Sequence, residues 1–296
     1  VKKISLTIVF ILIMTMMLSA CASYDFDEQG GYIITAKDAL AAENAIIVDV
    51  RSSDDYASGH VAGSINLPMS AFVVDEPYSN MLADETQVSA VMSEAGITEN
   101  DMVYLYDDAA NMQAARVEWT LNMYSNENVK VISGGYQALV DAEAEMTTDV
   151  PELTPAEYDT GDRQRKLIVT LDYVNKIINE PEENTVIIDT RSASEFAEGT
   201  IPGSVHIEYL WNNYANGEYK SPRDIRLTYL NKGINPDTKI ILFCKTSVRA
   251  TQTYAALKDA GFKDVRVYDG AWLEYEAVEN PVAPTQETAP VQGDAS

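Results

Sequence analysis

Cysteine is almost missing from this chain: its 296 residues hold two, Cys21 and Cys244. Two thiols close at most one bridge, so a disulfide framework is excluded as the source of stability. Histidine is as scarce. His60 and His206 are the only two, and neither stands at a cysteine or carboxylate spacing that would hold a metal, so no metal is expected. Positive charge is also short, with 21 Lys and Arg against 46 Asp and Glu and a formal net charge of −25. So acidic a surface repels nucleic acid and anionic lipid head groups, which leaves small molecules or another protein as partners.

An apolar stretch long enough to span a bilayer is lacking too. "ISLTIVFILIMTMML" follows Lys2 and Lys3 and leads into "LSAC", Leu18 to Cys21. The stretch is shorter than the ~18–20 residues a span needs. A basic start, an apolar middle and small residues before a cysteine resemble a bacterial lipoprotein signal. The resemblance implies that residues 1–20 are a signal peptide, that Cys21 carries lipid, and that residues 21–31 are a short tether. The protein would then sit in the cell envelope, lipid-anchored to a membrane outside the cytoplasm. A transmembrane anchor and an ordinary secretory signal are the alternatives. With Cys21 so committed, Cys244 has no bridging partner in a compartment that favours disulfides. It is either a small buried core residue or a working thiol.

What the chain does have is length for two domains, 46% hydrophobic residues, and an internal repeat. "VDVRSSDDYASGHVAGSIN", Val48 to Asn66, lies over "IDTRSASEFAEGTIPGSVH", Ile188 to His206. Asp49 matches Asp189, Arg51 matches Arg191, and Gly59 and Gly63 match Gly199 and Gly203. "MVYLYDD" likewise lies over "KIILFCK", and "VISGGY" over "VYDGAW". Short branched apolar runs ("AIIVDV", "MVYLY", "VKVIS"; "TVIIDT", "KIILF", "VRVYD") read as buried strands. "RATQTYAALKDAG" reads as a helix closed by Gly261. Buried strands joined through helices give an α/β fold of two tandem domains, each a small parallel sheet flanked by helices. The expected bounds are 32–146 and 167–280, with a linker over 147–166 and a disordered tail over 281–296.

The two repeated stretches, with a strand, Cys244, a loop, Arg249 and a helix, and the "DGAW" beyond, resemble the tandem-domain rhodanese family of sulfurtransferases. Such proteins usually work through the C-terminal copy. Here Asp107 takes the place of Cys244 in the first copy, which marks that copy as non-catalytic. The resemblance implies transfer of sulfane sulfur from thiosulfate or 3-mercaptopyruvate to cyanide or a thiol, through a Cys244 persulfide and without a cofactor. Four residues separate Cys244 from Arg249, the span similar to sulfur-transferring rhodaneses. Related phosphatases of the same fold use five, so a phosphatase or arsenate reductase is the less favoured alternative. A persulfide-carrying or protein-binding module with little turnover is the other reading.

The loop's physical logic stands apart from the resemblance. A thiol attacks sulfur as a thiolate. At a strand-to-helix switch, the amides of Lys245, Thr246, Ser247, Val248 and Arg249 would curl around the sulfur, and the Lys245 and Arg249 side chains would add positive charge. The sulfur is expected to lie open to solvent. Ser247 stands where single-domain rhodaneses have glycine, and a left-handed backbone there would strain it. Asp49–Arg51 and Asp189–Arg191 recur in both copies and are expected to brace the loops. Within "YLWNNYANGEYKSPRDIRLTYL", Trp211 or Arg223 could border the substrate mouth, and Trp272 is expected in the core.

Overall fold

The computed structural model describes residues 30–279. The expected signal peptide, Cys21, most of the expected tether and the tail expected over 281–296 lie outside the described residues. Among the described residues no helix is long and apolar enough to cross a membrane.

The first copy runs β1 (Ile33–Ile34), α1 (Ala36–Ala41), β2 (Ala45–Asp49), α2 (Ser53–Ser58), β3 (His60–Val61), β4 (Ile65–Asn66), β5 (Val73–Val74), β6 (Met81–Leu82), α3 (Glu85–Glu94), β7 (Met102–Tyr106), α4 (Met112–Met123), β8 (Val129–Ile132), α5 (Gly135–Asp141) and β9 (Met146–Thr147). The second runs β10 (Ile168–Val169), α6 (Leu171–Asn179), β11 (Thr185–Asp189), α7 (Ala193–Glu198), β12 (Val205–His206), α8 (Pro222–Leu230), β13 (Lys239–Phe243), α9 (Val248–Asp259), β14 (Val265–Tyr268) and α10 (Ala271–Glu279).

Each copy builds a five-stranded sheet, in the orders β1-β8-β7-β2-β4 and β10-β14-β13-β11-β12. Every pairing within them is parallel, as the unbroken apolar runs require. The central strand positions the chemistry. β13 pairs with β11 from Lys239 to Phe243 and ends there, so Cys244 falls at the C-terminal edge of the sheet. α9 starts four residues later and ends where Gly261 turns left-handed at φ +82. The N–H of Gly261 donates to Lys258 O and that of Phe262 to Leu257 O, both at 3.0 Å, which satisfies the last carbonyls.

α4 and α9 lean on their own sheets and on each other, joining the two copies. They are therefore buried all round: every residue from Ala114 to Met123 and from Ala250 to Leu257 is inaccessible. One apolar core runs through Leu121, Trp119, Tyr254 and Leu257 across the seam. Each such leucine contributes roughly 1.5–3 kcal/mol by burial. The segment expected as a linker lies along the first copy as a strap. Ala156 N–H donates to Ser93 O at 3.0 Å, Gln164 N–H donates to Met123 O at 2.8 Å, and Tyr158 is buried.

Candidate active site

The loop between β13 and α9 holds the sequence-expected residues together. Ser247 adopts a left-handed backbone, φ 63 and ψ −9, immediately before the helix. A non-glycine residue there carries roughly 1–2 kcal/mol of strain. Its buried hydroxyl offsets this by donating to Tyr268 O at 2.6 Å and Asp269 O at 3.1 Å. Trp272 N–H donates to Cys244 O at 3.0 Å, so the loop after β14 clamps the strand end. Among the described residues, no acceptor meets the backbone N–H groups from Lys245 to Arg249.

The first copy shows what such amides do with an anion. Asp107 ends β7 as Cys244 ends β13, and Asn111, left-handed at φ 68, precedes α4 as Ser247 precedes α9. The Asp107 carboxylate turns back into its own loop. Oδ1 accepts from the amides of Ala109 and Asn111, both at 3.0 Å, and Oδ2 from those of Gln113 at 2.7 Å and Ala114 at 2.9 Å. Burial raises the Asp107 carboxyl above its ordinary range, and the four amides oppose that rise. The loop is thus an anion cradle, filled in the first copy by a side chain of the protein itself. Counting from each helix start, the equivalent amides of the loop after Cys244 are those of Lys245, Ser247, Arg249 and Ala250.

One expectation requires correction. Cys244 does not lie open to solvent; it is 1% exposed and belongs to the shared core. The cause is its place at the end of β13, buried from Ile240 to Phe243, with its side chain in the core that both copies share. The two expected cations are placed differently from each other. Lys245 is exposed at the surface, whereas Arg249 is gripped by Glu195 of α7 through Nη1–Oε2 at 2.7 Å and Nη2–Oε1 at 2.8 Å. That pair, and then the Cys244 thiol nearby, holds the guanidinium charged well beyond its ordinary range. Thr246 is half-buried and Val248 buried.

The recurrent Asp–Arg pairs form alike in both copies. Arg51 Nη2 meets Asp49 Oδ2 at 2.6 Å and Gly59 O at 2.9 Å; Arg191 Nη2 meets Asp189 Oδ2 at 2.7 Å and Gly199 O at 2.5 Å. Each arginine ties its strand end to the turn after the following helix. Trp272, expected in the core, is half-buried with Arg191 stacked 4.5 Å from its ring centre.

Several neighbours of the loop were not legible. Glu195 stands in an "SASE" capping box with Ser192, a visible signal, but its reach to Arg249 was not. Tyr209 is a further residue within the field of the site. Burial raises its hydroxyl, which also feels Arg249 and Cys244. Trp211 packs beside His206 and Lys232, and Arg223 is exposed in the first turn of α8. From the first copy, the Asn80 side-chain amide donates to Thr246 Oγ1 at 3.3 Å. His60 stacks on Tyr56, and His206 meets Arg191 O at 2.8 Å. Among the described residues no group of three or more His, Cys, Asp or Glu could hold a metal ion.

This geometry agrees with relatives of known name. The sulfur carrier protein TtuD of Thermus thermophilus is 27% identical over 251 residues, 78% of this chain and 88% of its own. The thiosulfate sulfurtransferase of Corynebacterium glutamicum is 25% identical over 252 residues, 76% of this chain and 81% of its own. Among solved structures, SseA from Escherichia coli, described for the fold and mechanism of 3-mercaptopyruvate sulfotransferases, aligns at a TM-score of 0.71 and 24% identity. It covers 81% of this chain and 98% of that one, and it supports the fold. The rhodanese-like domain matches residues 34–142 and again 170–278. With a strand-end thiol in one cradle and a carboxylate in the other, the chain belongs to the rhodanese-like family as two domains in tandem.

Proposed function

We propose that this chain is a sulfurtransferase that moves sulfane sulfur through a persulfide on Cys244. The carrying observation is the pair of loops: one closes four amides on the Asp107 carboxylate, and the other, following Cys244, leaves its N–H groups from Lys245 to Arg249 with no protein acceptor among the described residues. The Cys244 thiolate attacks the outer sulfur of thiosulfate. A cysteine S–S bond forms, the donor S–S bond breaks, and sulfite leaves with the bonding electrons. The terminal sulfur of the persulfide is an anion of the kind the amides accept. Cyanide or a thiol then takes that sulfur and returns the thiolate. With 3-mercaptopyruvate the bond broken is C–S.

A phosphatase or arsenate-reductase reading is disfavoured by the four-residue spacing from Cys244 to Arg249 and by the bidentate pairing of Arg249 with Glu195, which occupies two of its five donors. A persulfide carrier with slow turnover is the second reading. The near-complete burial of Cys244 favours it, as does the relative named as a sulfur carrier. Cyanide-dependent thiocyanate formation by wild type and Cys244→Ser tests the first. Gain of one sulfur atom in intact mass after thiosulfate, without thiocyanate formation, would establish the second.

We propose further that lipid on Cys21 anchors the protein outside the cytoplasm. The supporting features are Lys2, Lys3, the apolar run and "LSAC". Labelling with a palmitate analogue, lost in Cys21→Ser, tests it.

A further inference from the structure

Asp269 opens the loop that clamps Cys244. Its backbone carbonyl accepts from Ser247 Oγ at 3.1 Å, and three residues later Trp272 N–H reaches Cys244 O. Its carboxylate is held from the other copy. Oδ1 accepts from Arg116 Nη1 at 2.8 Å, and Oδ2 from Leu82 N–H at 2.8 Å. The second arm of Arg116, Nη2, donates to Asn80 O at 2.7 Å, and the Asn80 side chain in turn donates to Thr246 Oγ1. One buried guanidinium therefore holds both the loop after β14 and the β5–β6 hairpin that touches the thiol loop. The side chains of Arg116 and Asp269 are 0% and 4% exposed.

The opposite side of the seam supplies the comparison. The fifth residue of α9, equivalent to Arg116 in α4, is Gln252, and Ser133 occupies the place of Asp269 after β8. There Tyr219 N–H donates to Ser133 Oγ at 2.8 Å, as Leu82 N–H donates to Asp269, and Gln252 Nε2 donates to Asn213 Oδ1 at 2.8 Å. The backbone arrangement is the same, but no charge is buried. A buried ion pair is a costly way to hold two elements, and uncharged groups do the equivalent work at the Asp107 loop. The arginine–aspartate pair linking helix and loop stands only on the side that faces the thiol.

From this asymmetry we infer that Arg116, on the copy without a thiol, is a positioning residue that sets the Cys244 loop through Asp269. The consequence for turnover rests on the sulfurtransferase reading; the consequence for the thiol's accessibility does not.

The test compares the full chain as wild type, Arg116→Met, Asp269→Asn and the double variant. The first measurement is the rate at which iodoacetamide labels the Cys244 peptide, read by mass spectrometry. The second is kcat and KM for thiocyanate formation. The folded single variants are expected to label Cys244 about 10-fold faster, with kcat down by about 10-fold to 100-fold and KM changed less. The double variant should be no worse than the worse single, because both act through one link. Labelling within about twofold of wild type in both single variants would overturn the inference. If Arg116→Met does not fold, the near-isosteric Asp269→Asn and Asn80→Ala carry the same measurement. A wild type that makes no thiocyanate refutes the sulfurtransferase reading and leaves the labelling result to decide this one.

Discussion

Arg249 and Glu195 meet fork to fork, Nη1 on Oε2 at 2.7 Å and Nη2 on Oε1 at 2.8 Å, at the first turn of the helix that follows Cys244. The Arg249 guanidinium, assisted by Ser192, lowers the Glu195 carboxyl from 4.5 to about 2. A carboxyl depressed on folding contributes stability that is present above its unfolded value and lost as pH falls through the folded one. This contribution should therefore fade between pH 4.5 and about 2. Glu195→Gln keeps the cap partly and loses the ion pair. It should lower sulfur transfer at neutral pH and flatten the acid limb of a urea-midpoint profile, both measurable on the purified chain.

Asp107→Asn tests the self-filled cradle. The amide can offer an acceptor to one pair of loop N–H groups but presents its own donor to the other pair. Two buried donors then lose their partner, which costs at least ~2 kcal/mol. A fall of that size in urea stability is expected. An unchanged midpoint would mean that the carboxylate is not the group that satisfies the loop.

Ser247 separates backbone strain from hydrogen bonding. Ser247→Ala keeps the left-handed strain and removes the hydroxyl from Tyr268 and Asp269, so a loss of ~1–3 kcal/mol is expected. Ser247→Gly loses the same bonds but relieves ~1–2 kcal/mol of strain. The expected order of stability in urea is wild type, then glycine, then alanine.

Asp259 predicts an opposite pH response at the seam. Its Oδ1 accepts from the N–H groups of Tyr32 at 3.2 Å and Ile33 at 3.1 Å, and burial raises its carboxyl from 3.8 to about 6. A carboxyl raised on folding binds its proton more tightly in the native state, so its contribution to stability falls as pH rises from 3.8 to about 6. Asp259→Asn can keep both bonds through one oxygen and sheds the charge. It is expected to stabilise the protein by ~1–3 kcal/mol at pH 7 and by less at pH 4. Paired urea titrations at the two pH values check this.

Much of the fold was legible because the central strands are branched apolar runs bounded by Asp, Asn and Gly. "MVYLY" and "KIILF" coincide with β7 and β13. The edge strands β1 and β4 were not, since two residues carry no period. The thiol loop was readable as strand, cysteine and helix, and the glycine-to-serine substitution pointed to the left-handed backbone at Ser247. The exposure of Cys244 was misjudged because burial at a strand end depends on what folds over it. Here that is the core shared by both copies, assembled from segments far along the chain, with no local signature. The ties from Leu82, Asn80 and Arg116 were invisible for a related reason: they join backbone groups or residues more than a hundred positions apart, and the hydrophobic pattern does not record such pairings.

The β5–β6 hairpin of one half sits on the other half's loop, and the Asn213–Tyr219 segment returns the contact. Cutting the chain in the 147–166 strap would therefore yield two pieces, each missing its lid and each baring a long oily helix, α4 or α9. Neither piece is expected to survive alone. Co-expressed, they should find each other and restore the thiol's chemistry, so that this single polypeptide behaves as a fused heterodimer.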